Sequence, residues 1–280
     1  MSRVVFILCC VGCLTAAMFA QRGRTRYSFS GNGTETIVDR RGVPDWEVDP
    51  DFPDDVFTFV RIRYNPYGGG RGGKWATDYP DSDLNFSFRL QQLTSLKVNP
   101  DPIVLELDDP KLFDYPFIYF CEPGGFWGNG LDFTPDEAAN LRRYLENGGF
   151  AMFDDFWGEE EWFAFYTEIK KVFPDREPVD LDIEHPIFNC VYDLQKTDNL
   201  QVPAIGVALG GRTYERPDAQ EVHYRAILDD EGRIMVMICH NTDLGDGWER
   251  EGENIDYFHN YSEKIAYPLG INIVFYAMTH

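Results

Sequence analysis

A predicted helix that leads directly into a predicted buried strand constrains this fold more than any other feature. Residues 134–137, Thr-Pro-Asp-Glu, offer a capping hydroxyl, a proline at the first helical position and a glutamate at capping-box spacing. Apolar residues then recur at helical spacing until residues 147–149, Asn-Gly-Gly, which favour a left-handed stop. The apolar run at residues 150–153 is typical of a strand buried on both faces. A helix joined to such a strand predicts an α/β fold.

The rest of the chain continues this alternation of strand and helix signals. Branched and aromatic runs predict strands at residues 56–64, 103–107 and 117–121, and a helix begins at Asp81 or Ser82. The remaining predicted elements are a helix at 159–173, a hairpin of strands at 222–228 and 233–239, and a terminal helix at 262–278 that bends at Pro268. We therefore predict one doubly wound, mostly parallel α/β domain at residues 56–280, with a C-terminal hairpin and helix.

The N-terminal residues predict export. Arg3 precedes an apolar run at residues 4–14 and small residues follow, which is the pattern of a signal peptide over residues 1–20. Lipid attachment at Cys13 and an uncleaved anchor are the alternatives. Residues 21–55 are poor in apolar side chains and change from basic to acidic, which predicts a flexible linker. Because no later run is long enough to span a membrane, we expect a secreted or periplasmic protein without a membrane span in the mature chain.

The charge and cysteine content of the chain argue against a nucleic-acid partner, a disulfide framework and a zinc site. Lys and Arg number 25 against 47 Asp and Glu, so most of the surface would repel the phosphate backbone of a nucleic acid. Loss of residues 1–20 leaves Cys121, Cys190 and Cys239, an odd number that cannot complete a disulfide framework. They also lie too far apart in sequence for a zinc-site pattern. Cys121 and Cys239 each end an apolar run, and we predict that both are buried.

Two glycine-containing segments resemble ligand-binding motifs without meeting their requirements. Residues 68–74 contain both phosphate-binding glycine patterns, but Trp75 replaces the Ser or Thr that would hold magnesium, and no helix begins there. We predict a flexible surface loop that binds no nucleotide. Residues 241–247 suggest a calcium loop, but Gly245 lacks an oxygen side chain and Gly252 stands where a glutamate should close the site. We predict a polar turn there, with at most weak binding of a divalent cation.

Two adjacent carboxylates, Asp154 and Asp155, follow the predicted strand at residues 150–153. Ligands of doubly wound folds bind beyond the carboxyl ends of the parallel strands, so this pair stands where chemistry is expected. Paired carboxylates can raise one another's pKa for acid–base work, or they can bind a divalent cation. Capping of the next helix is the structural alternative.

A set of motifs in order along the chain resembles a known bacterial family. The matching positions are residues 75–80, Asp83, Asn85, Arg89, Leu93, Thr94, 115–117, Leu141, Arg142, Leu145, 148–150, Asp154, Asp155, 185–188, 269–272 and Tyr276. Together they resemble domain of unknown function 4159, from about Phe57 to the C-terminus. The resemblance implies a flavodoxin-like fold similar to the class I glutamine amidotransferase-like group, and it implies no established reaction.

The resemblance also yields a test of the chemistry. Amidotransferases place a Cys or Ser on the sharp turn after the strand that here covers residues 150–153, where this chain has Asp154 and Asp155. Neither Gly-x-Cys-x-Gly nor Gly-x-Ser-x-Gly occurs, so glutaminase activity is not expected. The candidate catalytic residues are Asp154, Asp155 and His185, and Asp78 and Arg89 complete the candidate ligand crevice. A loop-fixing salt bridge for Asp78 and Arg89, and a structural role for His185, are the alternatives.

Three functions remain open. The first is a non-catalytic binding or assembly module that has lost its nucleophile, with an envelope protein, a peptide or a glycan as partner. Tryptophans in predicted loops would supply its contact surface, namely Trp75, Trp127, Trp157 and Trp248. The second is a hydrolase that uses Asp154 or Asp155, as base or metal ligand, together with His185. The third is a purely structural envelope protein, and none of the three requires an organic cofactor.

Overall fold

The computed structural model describes residues 27–28, 36–37, 39–51, 55–65, 73–125 and 130–280. The chain divides into a unit of residues 1–39 and a unit from Arg40 to His280. In the first unit, β1 (Tyr27–Ser28) pairs antiparallel with β2 (Thr36–Ile37). The predicted signal peptide and most of the glycine-rich loop at 68–74 lie outside the described residues, so export and the absence of a nucleotide site stay predictions.

Seven strands form the main sheet. They are β3 (Val60–Ile62), β4 (Ile103–Leu105), β5 (Phe117–Cys121), β6 (Phe150–Phe156), β7 (Val179–Asp180), β8 (His223–Leu228) and β9 (Ile234–His240). Their order across the sheet is β4-β3-β5-β6-β9-β8-β7, and the first five run parallel. β8 is antiparallel to both of its neighbours, so β8 and β9 form the predicted C-terminal hairpin. The predicted mostly parallel α/β fold is confirmed.

Helices cover both faces of this sheet. They are α1 (Asp81–Leu93), α2 (Pro135–Glu146), α3 (Gly158–Val172), α4 (Ile205–Leu209), α5 (Leu244–Glu249), α6 (Ile255–Tyr257), a π-helix (Phe258–Ala266) and α7 (Tyr267–Thr279). Helices α2 and α3 pack against each other beside β6, whereas α1, α5 and α7 pack together. The predicted capping box is confirmed, because the Thr134 hydroxyl accepts the Glu137 N–H and the Glu137 side chain accepts the Thr134 N–H.

Successive side chains of the central strands point to opposite faces of the sheet, and they contribute to an aromatic layer on each face. On one face Tyr119 of β5 packs against Phe59 at 5.3 Å and against Trp248 of α5 at 5.8 Å between ring centroids. On the other face Phe120 stacks on Phe153 at 4.3 Å, and Phe165 of α3 meets Phe153 edge-on. A sheet that is buried on both faces explains why the central strands are almost continuously apolar.

The terminal helical segment changes type along its length. It begins as α6, continues as the π-helix and ends as α7, so it starts earlier than the predicted helix at 262–278. Pro268 has no N–H to donate to the preceding turn, and the change from π- to α-helix lies beside it at Tyr267. In the described part of the chain, no helix combines the length and the apolar character that crossing a membrane requires.

Residues 40–51, which the sequence predicts to be linker, contact the α/β domain. Arg40 Nη1 lies 2.5 Å from Asp101 Oδ1, and Trp46 Nε1 donates a hydrogen bond to the Val98 carbonyl at 2.7 Å. The Trp46 ring also packs against Phe88 at 6.0 Å. The compact unit therefore begins at Arg40, ahead of the predicted boundary at residue 56, because these two side chains attach the segment to the domain.

The capping box generates a stability prediction. Thr134→Ala removes the oxygen that accepts the Glu137 N–H at 3.2 Å, and we expect the free energy of unfolding to fall by about 1 kcal/mol. Urea denaturation of the purified protein measures this loss. Thr167→Ala is the matched control, because the exposed Thr167 hydroxyl donates to the Phe163 carbonyl of its own helix and caps no helix end, and the change should stay within about 0.5 kcal/mol. Equal losses in both variants would contradict the capping contribution.

Candidate functional site

Six carboxyl groups converge at the carboxyl ends of the parallel strands, and we name this group the acidic edge. Four of its members are less than one-tenth exposed, and Asp78 and Glu249 are half-buried. Asp78, Asp155 and Asp243 each lie close enough to other members of the cluster to be repelled by their charge. The members are Asp78, Asp154, Asp155, Asp243, Asp246 and Glu249.

The order of the strands explains why the cluster forms there. Counted in chain order, the five parallel strands run 2-1-3-4-5, as in flavodoxin-like folds. The order reverses between β3 and β5, and such sheets bind ligands outside the strand ends at this reversal. Cys121 ends β5 there, and Asp154 lies beside it in register on β6. The acidic edge therefore occupies the position that this topology favours for a ligand.

Several strands leave the sheet at this edge through residues with left-handed backbone. The φ angle is +41° at Asn65 after β3, +47° at Glu122 after β5, +59° at Asp155 in β6 and +62° at Asn241 after β9. Asp78, in the loop before α1, has a φ of +62°. Such backbone in non-glycine residues costs about 1–3 kcal/mol each and concentrates at functional sites. The local strain therefore lies where the carboxyl groups converge.

A β-bulge sets the directions of Asp154 and Asp155. β6 continues to Phe156, so both aspartates lie inside the strand rather than after it. One extra residue of β6 stands between Phe153 and Phe156 relative to β9, and such bulges re-aim side chains next to binding sites. Without the bulge, two consecutive strand residues would point to opposite faces. The bulge keeps both carboxyl groups in the same cluster.

The hydrogen bonds of these two aspartates differ. Asp154 Oδ2 accepts the Tyr119 hydroxyl and the Gly245 N–H, each at 3.0 Å. Asp155 Oδ1 accepts Trp157 Nε1–H at 3.0 Å. Trp157 itself occupies the N-cap position of α3, so neither aspartate caps that helix. The structure leaves both carboxyl groups available for a role other than capping.

Arg61 positions the loop that carries Asp78. Its guanidinium is fully buried and lies 5.0 Å from the Tyr119 ring centroid. All five of its N–H groups are bonded. Their acceptors are the Asp83 carboxylate, the Ser82 hydroxyl and the carbonyls of Trp75 and Thr77. The sequence did not predict this role, because nothing in the pattern of the predicted strand distinguishes a buried arginine from an exposed one.

Helix α5 supplies the second half of the acidic edge. Asp243 caps this helix by accepting the Asp246 N–H at 2.6 Å, and Glu249 follows Asp246 at helical spacing. Gly245 permits the close approach, because a Cβ there would lie 2.7 Å from Asp78 Oδ2. Residues 241–247 predicted only a polar turn with weak cation binding. Their calcium-like spacing was the signal that could have placed these carboxylates in the site.

Burial dominates the electrostatics of the acidic edge. It raises the pKa of Asp154 to about 7, although hydrogen bonds from backbone N–H groups oppose the shift. It also raises the pKa of Glu249 to about 7, although Arg250 opposes that shift. Burial, followed by repulsion from neighbouring carboxylates, raises the pKa of Asp78, Asp155 and Asp243 well above the usual value. These groups hold protons more strongly than solvated carboxylates do.

The cations near the acidic edge are engaged in specific pairs. Arg250 Nε lies 3.1 Å from Asp246 Oδ1 and 2.6 Å from Glu249 Oε2. Arg61 is paired with Asp83 at 2.5 Å, and Lys74 is paired with Glu122 at 2.8 Å. Arg250 thus forms ion pairs with two of the six carboxyl groups, and within the described residues the other four form no ion pair.

Among the residues that the structure describes, two sets of three side chains are close enough to share a cation, and Asp78 belongs to both. One set is Asp78, Cys121 and Asp155, and the other is Asp78, Asp246 and Glu249. Within each set, the ligand atoms all lie within 4.8 Å of one another. The second set offers only carboxylate oxygens, which are the ligands that calcium and magnesium prefer.

Arg89 and His185, the other two residues of the predicted crevice, make contacts elsewhere. Arg89 Nε donates to Glu251 at 3.0 Å, and its guanidinium lies over the Tyr267 ring. His185 caps the 3-10 helix Pro186–Phe188 and packs against Tyr276. Burial lowers the pKa of His185. Of the five predicted crevice residues, the structure brings together Asp78, Asp154 and Asp155.

Cys121 lies at the centre of the site but is not set up as a nucleophile. It is fully buried, as predicted, and burial raises the pKa of its thiol well above the usual value. The charged groups that act on it are Arg61 and nearby carboxylates, and no histidine of the described chain is among them. Cys239 is buried and Cys190 is exposed.

Three of the four loop tryptophans do not form the predicted contact surface. Trp75, Trp157 and Trp248 are at most 3% exposed, because they pack into the domain. Trp127 lies outside the described residues. A sugar or peptide surface therefore has to be sought in other side chains.

Comparison with known families agrees with the motifs. Residues 58–278 match the family described as Domain of unknown function (DUF4159). This chain belongs to that family. No curated protein matches the sequence. Every member of the acidic edge lies within the matched part of the chain, so the site is a feature of the DUF4159 domain of this protein.

The raised pKa values predict that the DUF4159 domain becomes less stable as the pH rises from about 5 to about 8. Asp154 titrates near 3.8 when unfolded and at about 7 when folded, so between these values the folded state binds more protons. Stability therefore falls as the pH rises through this window. Asp154→Asn should make this fall smaller, as measured by urea denaturation in EDTA at both pH values.

The matched control for this pH prediction is Asp136→Asn, which changes an exposed aspartate in the first turn of α2. The control should keep the pH dependence of the unchanged protein. If the stability of Asp154→Asn falls between the two pH values as much as that of the unchanged protein, titration of Asp154 does not cause the fall.

Proposed function

We propose that this protein is a secreted, non-catalytic binding module on an amidotransferase-like fold, and that its acidic edge binds a positively charged group of its ligand. The observation that carries the proposal is the convergence of six carboxyl groups at the strand-order reversal, where ligands of such folds bind. The export part of the proposal rests on the signal-peptide pattern of residues 1–20.

The absence of catalysis is supported by the residues at the sharp turns. Glu122 after β5 and Asp155 in β6 have the left-handed backbone that a nucleophile elbow requires, and both carry carboxylates. Lys74 Nζ and the Thr77 hydroxyl each hold the Glu122 side chain at 2.8 Å. The Glu122 carboxylate is held by these bonds, and the neighbouring Cys121 thiol is buried and protonated. Neither group is therefore suited to act as the nucleophile in acyl transfer.

The cationic ligand is supported by charge and access. Buried carboxylates are costly unless a cation compensates them, and Arg250 pairs with only two of the six by the ion pairs described above. Two members of the cluster, Asp78 and Glu249, are half-buried, so the cluster reaches the surface. A group of carboxylates that reaches the surface attracts positive groups and repels anions.

The amidotransferase-like relationship is part of the proposal. The 2-1-3-4-5 order of the parallel strands and the helices on both faces support it at the level of fold. Fold alone does not define a reaction, so the functional argument rests on the acidic edge.

A carboxylate- or metal-dependent hydrolase is the second candidate. The pKa of Asp154 at about 7 favours it, because a general base works best when its pKa is near the working pH. His185 gives no support, since it caps a distant 3-10 helix. In this alternative, Asp155 and Asp78 would hold the metal or water, and Asp154 would accept the proton.

Binding and turnover assays separate the two functions. We expect a tri-lysine peptide and a glucosamine oligosaccharide to bind by calorimetry, whereas a tri-alanine peptide and the N-acetylated oligosaccharide do not. Asp155→Asn should weaken binding by about tenfold, which is about 1.4 kcal/mol, and Asp136→Asn should leave it unchanged. The protein should release no ammonia from glutamine.

Two results would contradict the proposed function. One is that neither the tri-lysine peptide nor the glucosamine oligosaccharide binds to the folded protein. The other is turnover of a peptide or glycan substrate that disappears in Asp155→Asn, which would establish the hydrolase instead.

A further inference from the structure

We propose that a divalent cation of the calcium type binds in the acidic edge, with Asp78, Asp246 and Glu249 as its protein ligands. The inference rests on the proposed function, since both place the binding site in the acidic edge. It adds the chemical class of the ion and the side chains that hold it.

The geometry of the three carboxyl groups fits a single ion. Their ligand oxygens lie within 4.8 Å of one another. Calcium binds oxygens at about 2.3–2.6 Å, so two oxygens on opposite sides of the ion are up to roughly 5 Å apart. Magnesium demands a strict octahedron at about 2.0–2.1 Å and is usually held by one or two carboxylates, whereas calcium accepts irregular sets of several carboxylate oxygens. Three carboxyl groups around one position therefore favour an ion of the calcium type.

Unbonded oxygens provide a second, independent indication of a ligand. Asp154 has no exposed surface, yet its Oδ1 has no hydrogen-bond partner. Its Oδ2 is bonded to the Gly245 N–H, and a Cβ on Gly245 would lie 2.7 Å from Asp78 Oδ2. Asp78 Oδ2 is buried and accepts no N–H hydrogen bond, and the Asp78 and Glu249 carboxyl groups lie close enough to share a proton or a cation. Buried polar atoms are nearly always satisfied, so two such oxygens in one cluster favour a ligand that would bind them.

The origin of the three ligands favours a defined site. Arg61 fixes the loop before Asp78 through the Trp75 and Thr77 carbonyls. Asp246 and Glu249 stand three residues apart on α5, so one helix face presents both. Asp246 Oδ2 is held by the Ile205 N–H at 2.5 Å. The three carboxyl groups therefore come from a preorganised loop and a capped helix rather than from mobile side chains.

The alternative set of ligands, Asp78, Asp155 and Cys121, is less suited to such an ion. Cys121 offers a buried thiol that would first have to lose its proton, and sulfur is a poor ligand for calcium. Both sets share Asp78, so Asp155 and Glu249 are the residues that distinguish them experimentally.

Arg250 approaches the all-oxygen set from the solvent side. Its side chain is 33% exposed, and it also pairs with Glu253 at 3.1 Å. It can therefore move toward Glu253 when an ion occupies the site, at the small cost of a surface ion pair.

Calorimetric titration of the EDTA-treated protein with CaCl₂ at neutral pH tests the proposal. We expect one Ca²⁺ per chain, with a Kd between about 10⁻⁶ and 10⁻³ M, and a rise in melting temperature on binding. Asp78→Asn and Glu249→Gln should each weaken binding at least about tenfold. Asn accepts left-handed backbone, so Asp78→Asn should keep the native loop.

The exposed control Glu146→Gln should change the calcium affinity by less than about threefold, and Asp155→Asn should weaken it less than Glu249→Gln does. Loss of binding in Asp155→Asn with retention in Glu249→Gln would overturn the proposed ligand set. Lack of Ca²⁺ binding to the unchanged protein would overturn the site. If the tri-lysine peptide still binds in that case, the proposed function stands without the ion, and if neither binds, both proposals fail.

Discussion

The buried guanidinium of Arg61 is the interaction on which the site depends. It rises from β3 into the helix-covered face of the sheet, where an unpaired charge would be strongly destabilising. Asp83 of α1 neutralises it, and the remaining N–H groups hold the carbonyls of Trp75 and Thr77. A single side chain thus joins the sheet, the first helix and the loop before Asp78. The position of Asp78, which both possible cation sites share, follows from this network.

The acidic edge is less favourable for stability than the rest of the structure. Left-handed backbone recurs at Asp78, Glu122 and Asp155, and buried carboxyl groups face one another there. The aromatic layers on both sides of the sheet provide the compensating stability, since Tyr119 and Phe120 of one strand pack in opposite directions. Strain and buried like charge in one place, within a well-packed scaffold, are the combination that functional sites show.

Sequence patterns predicted the features that depend on residues close together in the chain, and they missed the features that depend on tertiary packing. The capping box at Thr134 and the hairpin of β8 and β9 follow from local rules, whereas the bulge that keeps Asp154 and Asp155 inside β6 does not. The contribution of α5 does not, because only tertiary packing brings Asp246 and Glu249 against Asp78. Arg89 and His185 failed to join the cluster for the same reason. Their polar side chains suggested a crevice, but packing gave them partners in Glu251 and Tyr276.

The overall acidity of the chain would not by itself indicate a binding site. Most of the 47 acidic residues can be solvated at little cost, as in the exposed pair of Arg142 with Asp175. The carboxyl groups of the acidic edge differ because water cannot reach them freely, so each unneutralised charge raises the free energy of the folded state. Protons relieve this charge at low pH, and a bound cation relieves it at neutral pH. Because the unfolded chain does not assemble these groups, cation binding stabilises the fold as the ion concentration rises above Kd.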